Sequence, residues 1–276
     1  MKPILFAALL LVLQTSSEPA DNLRSATASI AAGANTLERR TAIAERLKSA
    51  GVDFRIEEFV SGARSGANIV VTLPGKPEFR TLLLGAHYDR VARGQGAVDN
   101  AASCAVLLEL IGRLKSTPLN SSVTVVFFDL EEAGLLGSTS YLQAHASSSR
   151  PAMAMNFDIF AYGQTFFVTP SKPEGPLLST FQQAASELGF PVRTLPMSQY
   201  PDSDHETMAR AGIETLGVTL LEREEIDAIM KPGGAPPRIL TLIHTDADTL
   251  AQVHEQDMAK AVPVLERTIR LLDARP

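Results

Sequence analysis

Cysteine occurs once in the 276 residues, as Cys104. No disulfide can form within the chain, and four-thiolate zinc sites and dithiol redox pairs are excluded. Any metal held here must be held by His, Asp and Glu. A basic excess is lacking too: 25 Lys and Arg stand against 31 Asp and Glu, for a formal charge of −6. Nucleic-acid binding, which wants a basic face, has no footprint. The acidic balance suits a protein that gathers carboxylates around cations, and suits plain solubility equally well. Internal repeats and low-complexity tracts are also absent, and no linker marks a domain boundary.

The opening reads MKPILFAALLLVLQTSSEPA. Lys2 precedes an apolar run from Ile4 to Leu13, and small residues follow at Thr15 and Ser17. That order is the order of a secretory signal peptide. The run is too short to span a bilayer as a permanent helix, and no cysteine lies near it for a lipid anchor. The reading is a signal peptide over residues 1–17, with cleavage after Ser17 or after Ala20, and a single domain over 21–276. A secreted or periplasmic location follows, with no lasting membrane anchor.

Strand and helix signals then alternate to the C-terminus. NTLERRTAIAERLKSA has a capping Asn35, helix formers, a basic last turn and then Gly51. FRIEEFV, NIVVTLPG and TLLLGAHYD read as strands. VARGQGAVDN is a glycine-bearing loop into a helix from about Asp99 to Leu114. SVTVVFFDLEE, AMAMNFDIF, TFFVTP and GIETLGVTL read as further strands. GLLGSTSYLQAH, GPLLSTFQQAASELGF, DHETMARAG and DMAKAVPVLERTIRLL read as helices, the last with a kink expected at Pro263. Apolar strands without alternation, separated by helices, imply an α/β fold with a largely parallel central sheet covered on both faces.

In such sheets ligands bind beyond the carboxyl ends of the strands. His87 and Asp89 follow TLLLGA, Asp99 opens the next helix, and Glu131 and Glu132 follow VTVVFFDL. Asp158 ends AMAMNF, and His244 stands in a late loop, LIHTDADTL. Each has an ordinary reading alone. Asp99 can cap its helix, and Glu131 and Glu132 can favour a helix start. Asp158 is harder to explain away, because an unpaired buried carboxylate is costly. Together, two histidines and several carboxylates form an O/N donor set suited to zinc. Asp89, two residues past His87, is suited to accept the His87 ring N–H and fix its tautomer.

The segments GAHYD, GAVDNAASCAVLLEL, VVFFDLEEAGLLGS, NFDIFAYG, DSDHETMARAGI and IHTDADTL resemble, in order and spacing, the secreted di-zinc aminopeptidases of metallopeptidase family twenty-eight. The resemblance runs from about Asn68 to the C-terminus. It implies two Zn2+ ions, with Asp99 bridging both, His87 and Asp158 on one, and Glu132 and His244 on the other. It implies Glu131 as general base and Tyr200 as a donor to the developing oxyanion. The activity implied is removal of N-terminal residues from peptides by a metal-activated water. Asp204 and His205 match a Ser-Asp-His signature that carries no ligand. The chain departs from the pattern at Ala102 and Ser103, at Ile243, and in having no tryptophan.

Two further activities stay open. Glutaminyl-peptide cyclotransferases in the same family use a single zinc and tryptophan walls, against which the absence of tryptophan and the Asp99-Asn100 pair both count. A carboxypeptidase needs a cation for the substrate carboxylate, for which Arg193 and Arg223 are available. His145 and His254 are expected at the surface, away from acidic clusters. Phe166, Phe167 and Met197 are expected in the core, with an apolar side-chain pocket as their other use. N-terminal sequencing of native protein from the extracytoplasmic fraction should begin at Glu18 or Asp21. A cytosolic protein beginning at Met1 would refute the export reading.

Overall fold

The computed structural model describes residues 18–117, 119–146, 150–199, 201–231 and 236–274. The expected signal peptide, residues 1–17, lies outside them, as does Tyr200. The chain begins with two helices, α1 (Glu18–Ala31) and α2 (Thr36–Ser49). In α1 the buried residues Leu23, Ala26, Thr27 and Ile30 recur at helical spacing. This helix was not expected, because its alanine, serine and threonine carry a weak apolar signal. In α2, Asn35 accepts the Glu38 N–H at 3.0 Å while Glu38 accepts the Ala34 N–H at 2.8 Å, so the entry is fixed by reciprocal capping.

The expected strands are present as β1 (Arg55–Ser61), β2 (Arg64–Leu73), β3 (Thr81–His87), β4 (Ser122–Phe128), β5 (Met153–Phe157), β6 (Thr165–Pro170) and β8 (Glu214–Leu221). A short β7 (Val192–Thr194) is an addition. All belong to one eight-stranded sheet in the order β1-β2-β4-β3-β5-β8-β6-β7. The central strands β4, β3, β5 and β8 are mutually parallel. Antiparallel pairings attach β2 to β4, β1 to β2 and β6 to β8. The sheet is therefore mixed with a parallel centre.

Alternate residues of the central strands feed two cores. On one face Ile69, Leu84, Val125, Met155 and Val218 pack with residues of α1, α2, α3 (Ala102–Lys115), α5 (Pro176–Glu187) and α9 (Glu255–Asp273). On the other, Val70, Leu83, Val126, Phe128 and Ala154 pack with Tyr141 of α4 (Leu136–Ala144) and Met208 of α6 (Asp204–Arg210). The α9 helix buries Met258, Val262, Leu265, Ile269 and Leu272 along one stripe and runs through Pro263 as one element. Two short helices, α7 (Arg223–Ile229) and α8 (Ile239–Leu242), were not expected. No helix among the described residues is long and apolar enough to cross a membrane.

Two boundaries differ from expectation, both at the carboxyl edge of the sheet. The helix expected from Asp99 begins at Ala102. Asp99 and Asn100 have non-helical backbone angles within an irregular turn, Ala97–Ala101. Asp99 therefore does not cap the helix, and its carboxylate is free to point elsewhere. The strand expected through Asp158 stops at Phe157, leaving Asp158 just beyond the sheet.

Candidate metal centre

The carboxyl ends of β3, β4 and β5, the turn before α3 and the loop after α8 converge on one place. His87, the last residue of β3, is fully buried. Its Nε2 lies 3.1 Å from Asp99 Oδ1 and 3.5 Å from Asp158 Oδ1. His244 approaches from the opposite side, with Nε2 3.2 Å from Asp99 Oδ2 and 3.1 Å from Glu132 Oε2. Asp99 thus presents one oxygen to each histidine, in the way expected of a bridging carboxylate. Donor atoms of His87, Glu131 and Asp158 lie within 4.8 Å of one another, and so do those of Asp99, Glu132 and His244. Glu131, expected to stand apart as a base, is thereby close enough to join the first cluster.

The local backbone is bent to achieve this. Leu130, Ile159 and His244 have φ of 54°, 57° and 59°, a region sparsely occupied outside glycine. Leu130 precedes Glu131, Ile159 follows Asp158, and His244 is itself a donor. The turn of the chain at each point aims a side chain into the site.

Hydrogen bonds fix the supports. Asp89 accepts the backbone N–H groups of Glu131 at 3.0 Å and Glu132 at 3.2 Å, and its Oδ1 lies 3.4 Å from His87 Nδ1. It therefore braces the glutamate loop by hydrogen bonds and stands beside the His87 ring. Three more supports escaped sequence reasoning. Asn100 donates to Phe157 O at 3.0 Å and accepts the Ile159 N–H at 3.2 Å, clamping the chain on either side of Asp158. Ser203 Oγ donates to Asp158 Oδ2 at 2.7 Å and accepts from Asn156 Nδ2 at 3.2 Å. Asp248 accepts the N–H groups of Val98 and Asp99 at 2.7 and 3.2 Å. The adjacency of Asn100 to Asp99, and of Asp248 to the His244 loop, was the available signal; partnership at such separations was not.

Electrostatically the cluster is strongly negative. Burial pushes the Glu131 carboxyl up to about 9, with Asp204, Asp158 and Asp99 adding to the rise. Burial, then Asp99, raises Glu132 to about 7. Burial opposes protonation of His87, but Glu131, Asp158, Asp89 and Asp99 outweigh it and hold the ring well above its ordinary value. Asp99 lifts His244 to about 9. Burial works to raise Asp99, yet His244 and His87 together hold it well below the usual carboxylate range. The site draws positive charge to itself.

A cation fits these residues. Both ring nitrogens of His87, Glu132 Oε1 and Asp158 Oδ1 are buried without a hydrogen-bond partner, and such atoms cost about 1–3 kcal/mol each when left unsatisfied. The donors are imidazole nitrogens and carboxylate oxygens, the set zinc accepts. Cys104 contributes no ligand; it is buried and its thiol donates to His87 O at 3.1 Å.

The remaining expectations divide. Asp204 and His205 are fully buried at the start of α6 behind the site. Phe167 lines the cavity over the site, whereas Phe166 packs against Phe160, Phe181 and Phe190. Met197 is partly buried and does not line that cavity. The histidines outside the site are not free of acids: His145 lies 2.9 Å from Glu57 and His254 lies 3.4 Å from Asp257. The packing of α4 on β1 brings His145 to Glu57 across the sequence, whereas Asp257 is three residues from His254.

Residues 68–268 match the model of Peptidase family M28. The chain belongs to peptidase family M28. Among curated relatives, Aminopeptidase YwaD of Bacillus subtilis is 30% identical over 137 residues, which are 47% of this chain and 30% of that one. The chain spans less than half the length of the first curated relatives it matches. Among solved structures, an aminopeptidase from Aneurinibacillus sp. strain AM-1 superposes with a TM-score of 0.77 at 13% identity, covering 93% of this chain and 94% of that one. A zinc aminopeptidase from Bacillus subtilis gives 0.63 at 24%, covering 75% and 50%. A Porphyromonas gingivalis glutaminyl cyclase gives 0.70 at 21%, covering 91% and 97%. At these identities the likeness shows the shared fold.

Ser203 offers a test of the support network of this family M28 site. Ser203→Ala removes the hydrogen bond that orients Asp158. Zinc affinity should fall about 10–100-fold, the usual effect of losing a ligand's orienting partner. Competition against a chromogenic chelator measures it, and unchanged affinity would show that Asp158 is oriented without Ser203.

Proposed function

We propose that this chain is a zinc-dependent aminopeptidase with two zinc ions, exported by its leader and acting on peptides outside the cytoplasm. The observation that carries the reading is Asp99, whose two oxygens face two separate histidine–carboxylate clusters. His87 and Asp158 would hold one ion, Glu132 and His244 the other, and Asp99 both. A single-zinc cyclotransferase has no use for the second cluster, and the chain has no tryptophan for its walls.

Zinc, when bound, supplies Lewis-acid polarisation of a carbonyl and lowers the pKa of water. The rest falls to the chain. Glu131 takes a proton from the attacking water on a carboxylate oxygen and returns it to the leaving amine. Asp89 holds the Glu131 and Glu132 backbone in place for that division of labour. Tyr200, by resemblance, donates to the developing oxyanion.

The cavity above the site, about 600 Å3, has an apolar wall that includes Leu135, Ile159, Phe167, Leu221, Ile239 and Ile243. It suits an apolar side chain on the N-terminal residue. Arg193 and Arg223, the cations available for a carboxypeptidase, are not among the lining residues. Arg210 is among them, and it is ion-paired with Glu206.

Aminoacyl arylamides, N-blocked peptides and N-terminal glutamine peptides, assayed side by side, separate the readings. Hydrolysis of apolar aminoacyl arylamides, lost on chelation, is the expected result. Cyclisation of glutamine peptides without hydrolysis would replace the proposal with the cyclotransferase.

The adjacent glutamates should give opposite defects. Glu131→Gln should keep both zincs and lose about 10²–10⁴ in turnover. Glu132→Gln should lose zinc first and recover part of its activity in excess metal. A zinc-poor Glu131→Gln protein would make Glu131 a ligand, in keeping with its place in the first cluster.

A further inference from the structure

Arg39 lies in the first turn of α2, far in sequence from every residue of the site, and is fully buried. A buried guanidinium is tolerated only where its N–H groups are met. Its hydrogen bonds all go to carbonyl oxygens: Nε to Tyr88 O at 2.5 Å, Nη1 to Gln95 O at 2.9 Å and Nη2 to Gly96 O at 3.0 Å. Tyr88 sits between His87 and Asp89, and Gln95 and Gly96 lead into Asp99. One planar fork therefore joins the two ends of the loop that separates the first histidine from the bridging carboxylate. The space around it is committed. A Cβ on Gly33 would lie 2.7 Å from Arg39 Cγ and 2.8 Å from its backbone nitrogen. Arg90 makes a second tie, from the loop to Ala34 O at 2.8 Å.

The opposite side of the loop is fixed by the segment that follows His244. Asp248 O accepts the Gln95 N–H at 2.6 Å, and Gln95 Oε1 accepts the Leu250 N–H at 2.9 Å. Gly94, with φ of 72°, packs so closely that a Cβ would meet Thr245 O at 2.4 Å. The loop is thus held between the N-terminal helix pair and the His244 loop, with Asp99 at its end. Lysine could not replace the fork, because one ammonium cannot span three carbonyls along a plane.

We infer that Arg39 is a positioning residue of the metal centre, setting the separation of His87 and Asp99 through Tyr88, Gln95 and Gly96. The inference rests on the proposal that these residues bind zinc. It makes α2, which lies outside the family match at 68–268, a working part of the site.

The test measures zinc affinity by chelator competition, with the full chain held well below its metal-free melting temperature. Wild type should bind two zincs; if it binds none, the metal reading itself has failed, and this inference with it. Arg39→Lys should fold, bind zinc about 10–100-fold more weakly, and regain activity at saturating zinc. Arg46→Ala is the control. Arg46 ties α2 to α1 through Ser25 and Ser29 without touching the loop, so its loss should lower the melting temperature and leave zinc affinity alone. A folded Arg39→Lys protein with wild-type zinc affinity would overturn the inference and leave Arg39 a residue of the fold. If Arg39→Lys does not fold, Arg90→Ala decides: several-fold weaker zinc binding supports the inference, and unchanged binding overturns it.

Discussion

Six carboxylates, those of Asp89, Asp99, Glu131, Glu132, Asp158 and Asp204, crowd one end of the sheet with two histidines among them, and the rest of the structure is arranged to permit it. Uncompensated charges of one sign cannot be buried together cheaply. The fold answers in two ways. Backbone N–H groups turn inward onto Asp89 and Asp248. The raised protonation of Glu131, Glu132 and both histidines shows how much positive charge the remaining groups still call for.

That demand explains where the rigid parts lie. The central strands are short, parallel and buried on both faces, and their ends define the edge on which the donors stand. Each carboxylate donor is then held by a neighbour that is not itself a donor: Asp158 by Ser203 and by the Asn100 clamp, Asp99 by Asp248, the glutamates by Asp89. The apolar wall is built differently. Ile239, Leu240 and Ile243 come from a short helix and its flank, while Phe167 and Leu221 stand on β6 and β8.

Much of this could be read in the sequence, and the pattern of success is physical. Strands such as TLLLGAH and SVTVVFF announce themselves because burial on both faces leaves them no polar alternation. The donors could be named because histidine and acids are out of place at the ends of such strands. Asp99 as a helix cap was a local reading that tertiary chemistry overrode; the carboxylate faces the histidines, and the helix starts at Ala102 without a side-chain cap. Asn100, Ser203 and Asp248 were not legible, because an amide, a hydroxyl or an acid in a loop looks alike whether it meets water or a ligand's backbone. Arg39 was hidden most completely. In ERRTAIAER an arginine on an amphipathic helix is ordinarily a solvated charge, and only the packing of α2 on the loop shows it buried.

The left-handed residues at the site carry a consequence for the evolution of this protein. Non-glycine residues in that region cost on the order of 1–3 kcal/mol each, against a total stability of about 5–15 kcal/mol for a typical domain. Glycine would relieve the backbone at Leu130 or Ile159, but would loosen the aim of the acid beside it. At His244 glycine would suit the backbone and abolish the imidazole. Heat resistance in this chain can therefore be gained readily in the helical layers and hardly at all along the carboxyl edge of the sheet, where the least comfortable residues are those that aim the donor side chains.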